Sequence, residues 1–291
     1  MSVPGLHDWL ASRPAGALAR GPIAIILIED DTEVTSTLRH HLDLGFARIL
    51  ALSPEPLSLD LAPADAARVT NLIWDTRTSG AHVGAVNAII AAVPTGTWLY
   101  YGWNAEYLFY PFSETRRIGE MLAFHAEERR DAMLGFVTDL YPAKNDGFGP
   151  AIDREAVMFD RAGYYALQRT DQNGAPASRQ MNFHGGLHWR YEEFLPPDRL
   201  RIDRVALFRA APGLTLLPDH RFSDEEYNTY ACQWHNNLTC AIASFRVAKA
   251  LLRNPRSRDA VDSFVWAGSE RFDWSSQQLM EAGLMEPGQW F

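Results

Sequence analysis

Residues 98–111 read Trp98-Leu99-Tyr100-Tyr101-Gly102-Trp103-Asn104-Ala105-Glu106-Tyr107-Leu108-Phe109-Tyr110-Pro111. An apolar run, Trp98 to Tyr101, enters a Gly-Trp-Asn turn. A single carboxylate, Glu106, follows, and an aromatic run closes at Pro111. A strand that ends in a turn with polar side chains marks the ligand-binding edge of open α/β sheets.

The segments before it repeat that grammar. Pro22 introduces Ile23 to Ile28, a continuous apolar run whose length and Ile content fit a strand buried on both faces. Glu29, Asp30 and Asp31 stand at its end. A helix is expected from about Thr32 to Leu44, with Leu38, His41 and Leu42 on one side and Gly45 as its stop. Ala47 to Leu52 is a second strand and Val69 to Trp74 a third, ending at Asp75. Residues 80–93 are expected to be helical, and Trp98 begins a fourth strand. Strands alternating with helices imply an α/β fold with a mostly parallel sheet and right-handed crossovers.

Beyond Pro111 the pattern loosens. Thr115 to Ala132 is expected as a helix and Leu134 to Leu140 as a strand ending at Asp139. A strand and turn are expected around Gly185-Gly186, and a short strand over Arg204 to Arg209. Ser223-Asp224-Glu225-Glu226 has the spacing of a capping box and predicts a long helix to about Arg253, stopped by Asn254-Pro255. Gln277 to Phe291 is expected as a short helix and an aromatic tail. The expected division is a lead over 1–20, one α/β domain over 21–255, and the C-terminal helix and tail over 256–291.

Composition narrows the functions. The chain has 291 residues and a net charge of −9, which argues against broad electrostatic binding of nucleic acid. Hydrophobic residues make up 47 %, enough for a substantial core. Cys232 and Cys240 are eight positions apart, too far for a disulfide on a helix, so two buried thiols in a reducing compartment are expected. No signal peptide or membrane-spanning run stands out, so the expectation is a cytoplasmic protein. Gly-x-Gly-x-x-Gly, P-loop and Gly-x-Ser-x-Gly motifs do not occur.

Several spans, in order, resemble bacterial glycosyltransferase family 2-like proteins of the GT-A fold. Glu29-Asp30 fall on that group's Asn-Glu after the first strand, His41 on its His, and Leu44-Gly45-Phe46 on its Leu-Gly-Phe. Ala85 and Asn87 match an Ala-x-Asn. Glu106-Tyr107-Leu108 match the end of the acidic metal motif, and Tyr110-Pro111 with Glu114 and Arg116 match a Tyr-Pro turn into a helix. The two aspartates of the metal motif are Trp103 and Ala105 here, and the family's Lys is Ile28.

The resemblance implies a Rossmann-like parallel sheet flanked by helices, with a helical C-terminal part. It implies a nucleotide-diphosphate sugar as donor, a glycan or other hydroxyl acceptor, and Mn²⁺ or Mg²⁺ or metal-independent transfer. On this reading Glu29, Asp30 and Asp75 contact the nucleotide, and Trp103 packs on a sugar or base. Asn104 and Glu106 sit by the diphosphate or metal, where hard cations prefer carboxylate oxygens. Asp139 is the base that takes the acceptor's proton, with Glu114 and His184 as further candidates. His184-Gly-Gly-Leu-His188-Trp189 is the candidate acceptor loop, since Gly-Gly permits close approach.

Each has an alternative. Asp31 is the expected helix cap among the three acids, and Asp75 equally suits the start of a turn. Glu106 alternatively bonds a neighbouring loop. Trp234-His235-Asn236-Asn237 suits a core polar network. The altered metal motif also fits a fold that binds without catalysing transfer.

Overall fold

The computed structural model describes residues 3–144, 152, 154–171, 173–230 and 237–290. Cys232 and Trp234-His235-Asn236 lie outside them. The chain begins with α1 (Leu6–Ser12), β1 (Ile23–Leu27), α2 (Val34–Leu44) and β2 (Arg48–Ser53). Next come a single turn α3 (Pro63–Ala66), β3 (Val69–Ile73), α4 (Ala81–Ile90), β4 (Trp98–Trp103) and β5 (Glu106–Phe109). The middle holds α5 (Ile118–Glu127), β6 (Ala132–Pro142), β7 (Val157–Asp160), β8 (Tyr165–Thr170), β9 (Pro176–His184), α6 (Gly186–Arg190) and β10 (Asp203–Arg209). β11 (Cys240–Ser244), α7 (Arg246–Arg253), α8 (Pro255–Arg258), β12 (Ser269–Arg271) and α9 (Ser276–Glu281) complete it.

Two compact units divide these elements. The first takes residues 1–105, 115–133 and 205–228; the second takes 106–114, 134–204 and 229–291. In the first, β1 lies between β2 and β4 and is parallel to both, with Ile23 opposite Arg48 and Leu99. β3 extends the sheet beyond β2, also in parallel, and Leu207 to Arg209 of β10 run antiparallel beside β4. The order is therefore β3-β2-β1-β4-β10. All five residues of β1 are buried, as expected of a strand covered on both faces. α2 ends at Gly45, whose φ of 100° lets its N–H turn back to the carbonyls of His41 and Leu42. Its start differs from expectation. The residue before the helix is Glu33, with no side-chain cap, and Asp31 is exposed and not the cap.

In the second unit β11 is a central strand. It pairs antiparallel with β5 and parallel with β6. β6 continues into an antiparallel pair with β7, and β12 lies on β7. β8 and β9 form a separate hairpin. This corrects the long helix expected from Ser223. The capping-box residues open only a short 3-10 turn, Glu225–Asn228, and Cys240–Ser244 is a fully buried strand. Cys240 is a free, buried thiol whose pKa burial pushes up to about 12. Trp290 of the tail is buried, its indole donating to the carbonyl of Pro111 at 3.2 Å. No helix among the described residues is long and apolar enough to cross a membrane.

Of the histidines buried in the first unit, His41 and His125 have strongly lowered pKa values. His41 donates from Nδ1 to the Thr37 carbonyl at 2.8 Å and stacks on Tyr100 at 5.0 Å, while its Nε2 has no hydrogen-bond partner among the described residues. Burial lowers its pKa to about 3, with His40 adding to the effect. Burial likewise lowers His125 to about 4. The unfolded chain thus binds more protons than the folded one below the ordinary histidine range, so acid destabilises the fold. Stability is expected to be fully present above pH ~6.5 and to fall toward pH ~4, by about 1.4 kcal/mol per pH unit for each histidine. Urea unfolding against pH measures this, and His41→Leu should lower the slope by about one proton.

Candidate functional site

The first unit's sheet changes direction of growth at β1. β2 and β3 are added on one side, and β4 on the other. Open α/β sheets leave a crevice beyond the carboxyl ends of the strands at such a switch point. Here it holds the segment after β1, and Asn104, just past β4, organises it. Asn104 Oδ1 accepts from the Glu29 N–H at 3.0 Å. Its Nδ2 donates to Asp30 Oδ1 at 2.8 Å and to the Thr32 carbonyl at 2.8 Å. Asp30 Oδ1 also accepts the Thr32 N–H at 2.9 Å. Asn104 is wholly buried, and Ala105 beside it adopts a φ of 61°, its N–H on Thr37 Oγ1 at 2.9 Å.

Outside this clip lies a crevice of about 560 Å³. Glu29, Asp30, Asp31, Ser53, Glu55 and Arg77 are among the residues lining it. Arg77 is anchored there by its Nε, which donates to the Glu29 carbonyl at 3.1 Å. Thr76 ties the same loop to the Ile28 carbonyl at 2.6 Å. Asp75 is exposed and starts the turn, accepting the Arg77 N–H at 3.2 Å; Arg77, not Asp75, lines the crevice. Arg77, Ser53 and Glu55 escaped the sequence reading. The signal for the last two was Ser53-Pro-Glu-Pro56 closing a buried strand.

The expected metal ligands are committed elsewhere. Asn104 uses its amide on the chain after β1. Glu106 begins β5 in the second unit, where it is buried. Arg204 Nη2 donates to Glu106 Oε2 at 2.7 Å, and Ser244 Oγ donates to Oε1 at 3.2 Å. Two carboxylate oxygens satisfied in this way make a structural ion pair, and this replaces the metal and catalytic roles expected for Glu106. Among the described residues no group of three or more His, Cys, Asp or Glu is arranged to hold a metal ion. Trp103 is also buried, against His82 at 5.6 Å and His220 at 5.9 Å, so it is core and not a platform for a ligand. Glu114 receives the N–H and hydroxyl of Ser276 at the start of α9.

Asp139 stands apart from these. It is buried near the end of β6 rather than in an exposed turn. Its Oδ2 accepts from His188 Nδ1 at 2.9 Å and from the His188 N–H at 3.3 Å. The Gly185-Gly186 pair makes this possible. A Cβ on Gly186 would lie 2.7 Å from Asp139 Oδ2, and one on Gly185 would lie 2.2 Å from the Tyr164 ring. His184 stacks on Tyr165 at 5.0 Å. On the same short helix α6, Arg190 clamps Asp160, with Nε to Oδ2 at 2.8 Å and Nη2 to Oδ1 at 3.2 Å. Burial raises the Asp160 pKa, and Tyr141, Arg190 and Trp266 oppose that rise.

Comparison with known proteins adds little. No protein-family model matches the chain, and no curated protein matches it. Among solved structures, it is similar to the crystal structure of S. aureus TarS 1-349, at 11 % identity and a TM-score of 0.31. That alignment covers 80 % of this chain and 66 % of the other, so the chain spans just under two thirds of that structure's length. A likeness this slight assigns neither a family nor an activity.

Removing one member of a buried ion pair leaves the other charge unpaired, at a cost of about 3–5 kcal/mol. Glu106→Gln should therefore lower stability by about 3 kcal/mol in chemical unfolding, with Arg204→Met similar. Wild-type stability in Glu106→Gln would refute the structural role.

Proposed function

We propose that the protein binds the nucleoside diphosphate of a nucleotide-linked sugar in the crevice beyond β1 and transfers the sugar to a hydroxyl acceptor in glycan assembly. The observation that carries this reading is the crevice itself, at the switch point of a parallel sheet, with carboxylates and one arginine on its wall. Carboxylates such as Glu29 and Asp30 suit ribose hydroxyls, and Arg77 suits a phosphate, since a guanidinium matches phosphate oxygens in charge and geometry. The resemblance of residues 22–140 to family 2-like glycosyltransferases supports the same reading.

A divalent cation does not fit where the resemblance implies it. The Asn104 amide and the Glu106 carboxylate are both engaged within the protein. The diphosphate's charge then falls to Arg77. The Glu106 ion pair also favours a second reading, a fold that binds nucleotide or glycan without transfer.

Thermal unfolding against uridine, guanosine, cytidine and thymidine diphosphate sugars tests this. A ligand bound only by the native state stabilises it by about 2.7 kcal/mol at a hundred times Kd. One nucleotide class should raise Tm equally with EDTA or Mn²⁺, and Arg77→Ala should weaken it about tenfold. No shift with any donor would sink the proposal. Binding without sugar release or transfer would select the second reading.

A further inference from the structure

The hairpin of β8 and β9 forms a two-stranded sheet of its own in the second unit. On one side β8 pairs antiparallel with β9, Tyr165 opposite His184 and Leu167 opposite Asn182. Along its other side no strand lies among the described residues. Its first four residues, Tyr165-Ala166-Leu167-Gln168, are all exposed. Such an edge presents a row of N–H and C=O groups to any chain that comes beside it. Natural edges are commonly blunted with Pro or Lys, and β8 has neither. Its one charge, Arg169, is turned inward onto Asp203 at 3.3 Å and Gln180 at 3.3 Å, and a register shift there ends the regular ladder.

The side chains of this edge belong to a wider apolar patch. Among the described residues the exposed large hydrophobic side chains are Tyr165 (43 %), Leu167 (54 %), Trp189 (41 %), Val265 (41 %) and Trp266 (36 %). They are neighbours. Tyr165 and Leu167 stand two positions apart on one face of β8. Tyr165 meets Trp189 edge-on at 6.4 Å. A Cβ built on Gly163 would lie 3.4 Å from the Trp189 ring and 3.5 Å from the Trp266 ring, so both indoles flank that glycine. Val265 directly precedes Trp266. Side chains of about 200 Å² at roughly two-fifths exposure offer on the order of 400 Å² together. That is half of the roughly 800 Å² each partner buries in a standard interface, and the strand edge adds backbone hydrogen bonds to it. The sum fits a reversible contact between two folded molecules.

We infer that a second copy of this chain covers the edge, β8 against β8 in antiparallel pairing, about a twofold axis at Ala166. The pleat dictates the register. Directly opposite residues of an antiparallel pair share a face, so a twofold axis normal to the sheet passes through one residue and not between two. Centred on Ala166, it sets Tyr165 of each copy opposite Leu167 of the other, an aromatic–aliphatic pair made twice. Centred on Leu167, it would set Tyr165 opposite Arg169, whose guanidinium is engaged within its own copy. The axis at Ala166 also brings the end carrying Arg161 toward the end carrying Asp171, each five positions from Ala166. Both residues are exposed, so opposite charges meet at the two ends of the contact. An identical molecule thus matches the edge, the apolar patch and the flanking charges, as an isologous contact requires.

Sedimentation equilibrium of the full chain between about 1 and 200 µM tests this. A monomer–dimer equilibrium with Kd on the order of 10 µM is expected for a contact of this size. Leu167→Lys should weaken it about tenfold or more, since it sets a charge against Tyr165 twice. Tm should stay unchanged in that variant, because substitutions at exposed positions are close to neutral. Ala166→Cys should give a disulfide-linked dimer under mild oxidation, beyond any seen in the wild type, because the residue on the axis faces its own copy. A monomer across the whole range would overturn the inference. So would a dimer that Leu167→Lys leaves intact, or no cross-link from Ala166→Cys where the dimer is populated. A monomer that instead co-sediments with phosphatidylglycerol vesicles, and loses that in Leu167→Lys, would overturn it in favour of a bilayer on the same patch.

Discussion

The amide of Asn104 joins two chain segments that lie far apart in sequence and side by side in the sheet. One oxygen and one nitrogen hold the Glu29 N–H, the Asp30 carboxylate and the Thr32 carbonyl. A buried amide left unpaired costs about 1–3 kcal/mol per group, so the clip is strongly favoured once the strands are in register. One side of the crevice wall follows from it. It sets the path of the chain after β1, and that path gives Arg77 the Glu29 carbonyl it anchors to. The position of α2 is tied in as well, through Thr37 and the N–H of Ala105.

Glu106 follows two residues later and obeys a different demand. It begins a strand whose neighbour, β11, supplies Ser244, while Arg204 supplies the opposite charge. An isolated carboxylate at that depth would lose its hydration without return. Pairing it twice removes the penalty and also removes its oxygens from chemistry. Polar function in the second unit gathers instead on α6, where alternate residues reach two different buried aspartates, His188 to Asp139 and Arg190 to Asp160.

The parallel part of the fold was legible in the sequence because each element there has its own period and its own stop. Ile23 to Leu27 is apolar throughout, Gly45 and Pro22 punctuate, and the observed elements begin and end within a few residues of expectation. The second unit resisted for a physical reason. Cys-Ala-Ile-Ala-Ser is short, small and apolar, and such a run fits a buried helix turn as well as a buried strand. Its identity as β11 is decided by β5 and β6, which are remote in sequence. The site was legible in part. Glu29 and Asp30 line the crevice, and the Gly-Gly segment does contain a histidine of interest. Which histidine it was, and that Asp139 backs it, depended on a contact spanning 49 residues. Trp103 reads as a platform for a sugar or base because nothing local announces His82 and His220 as its neighbours.

The order in which the chain supplies its strands has a consequence for its synthesis. The first unit is complete once residue 228 has been made, whereas the second still lacks 229–291. Its missing piece includes β11, the strand that sits between β5 and β6. Until Cys240–Ser244 leaves the ribosome, two apolar edges wait unpaired, and open strand edges invite pairing with other chains. The strand at the middle of that sheet is therefore made after all its other strands but β12, and a nascent chain stalled before residue 240 leaves both edges open.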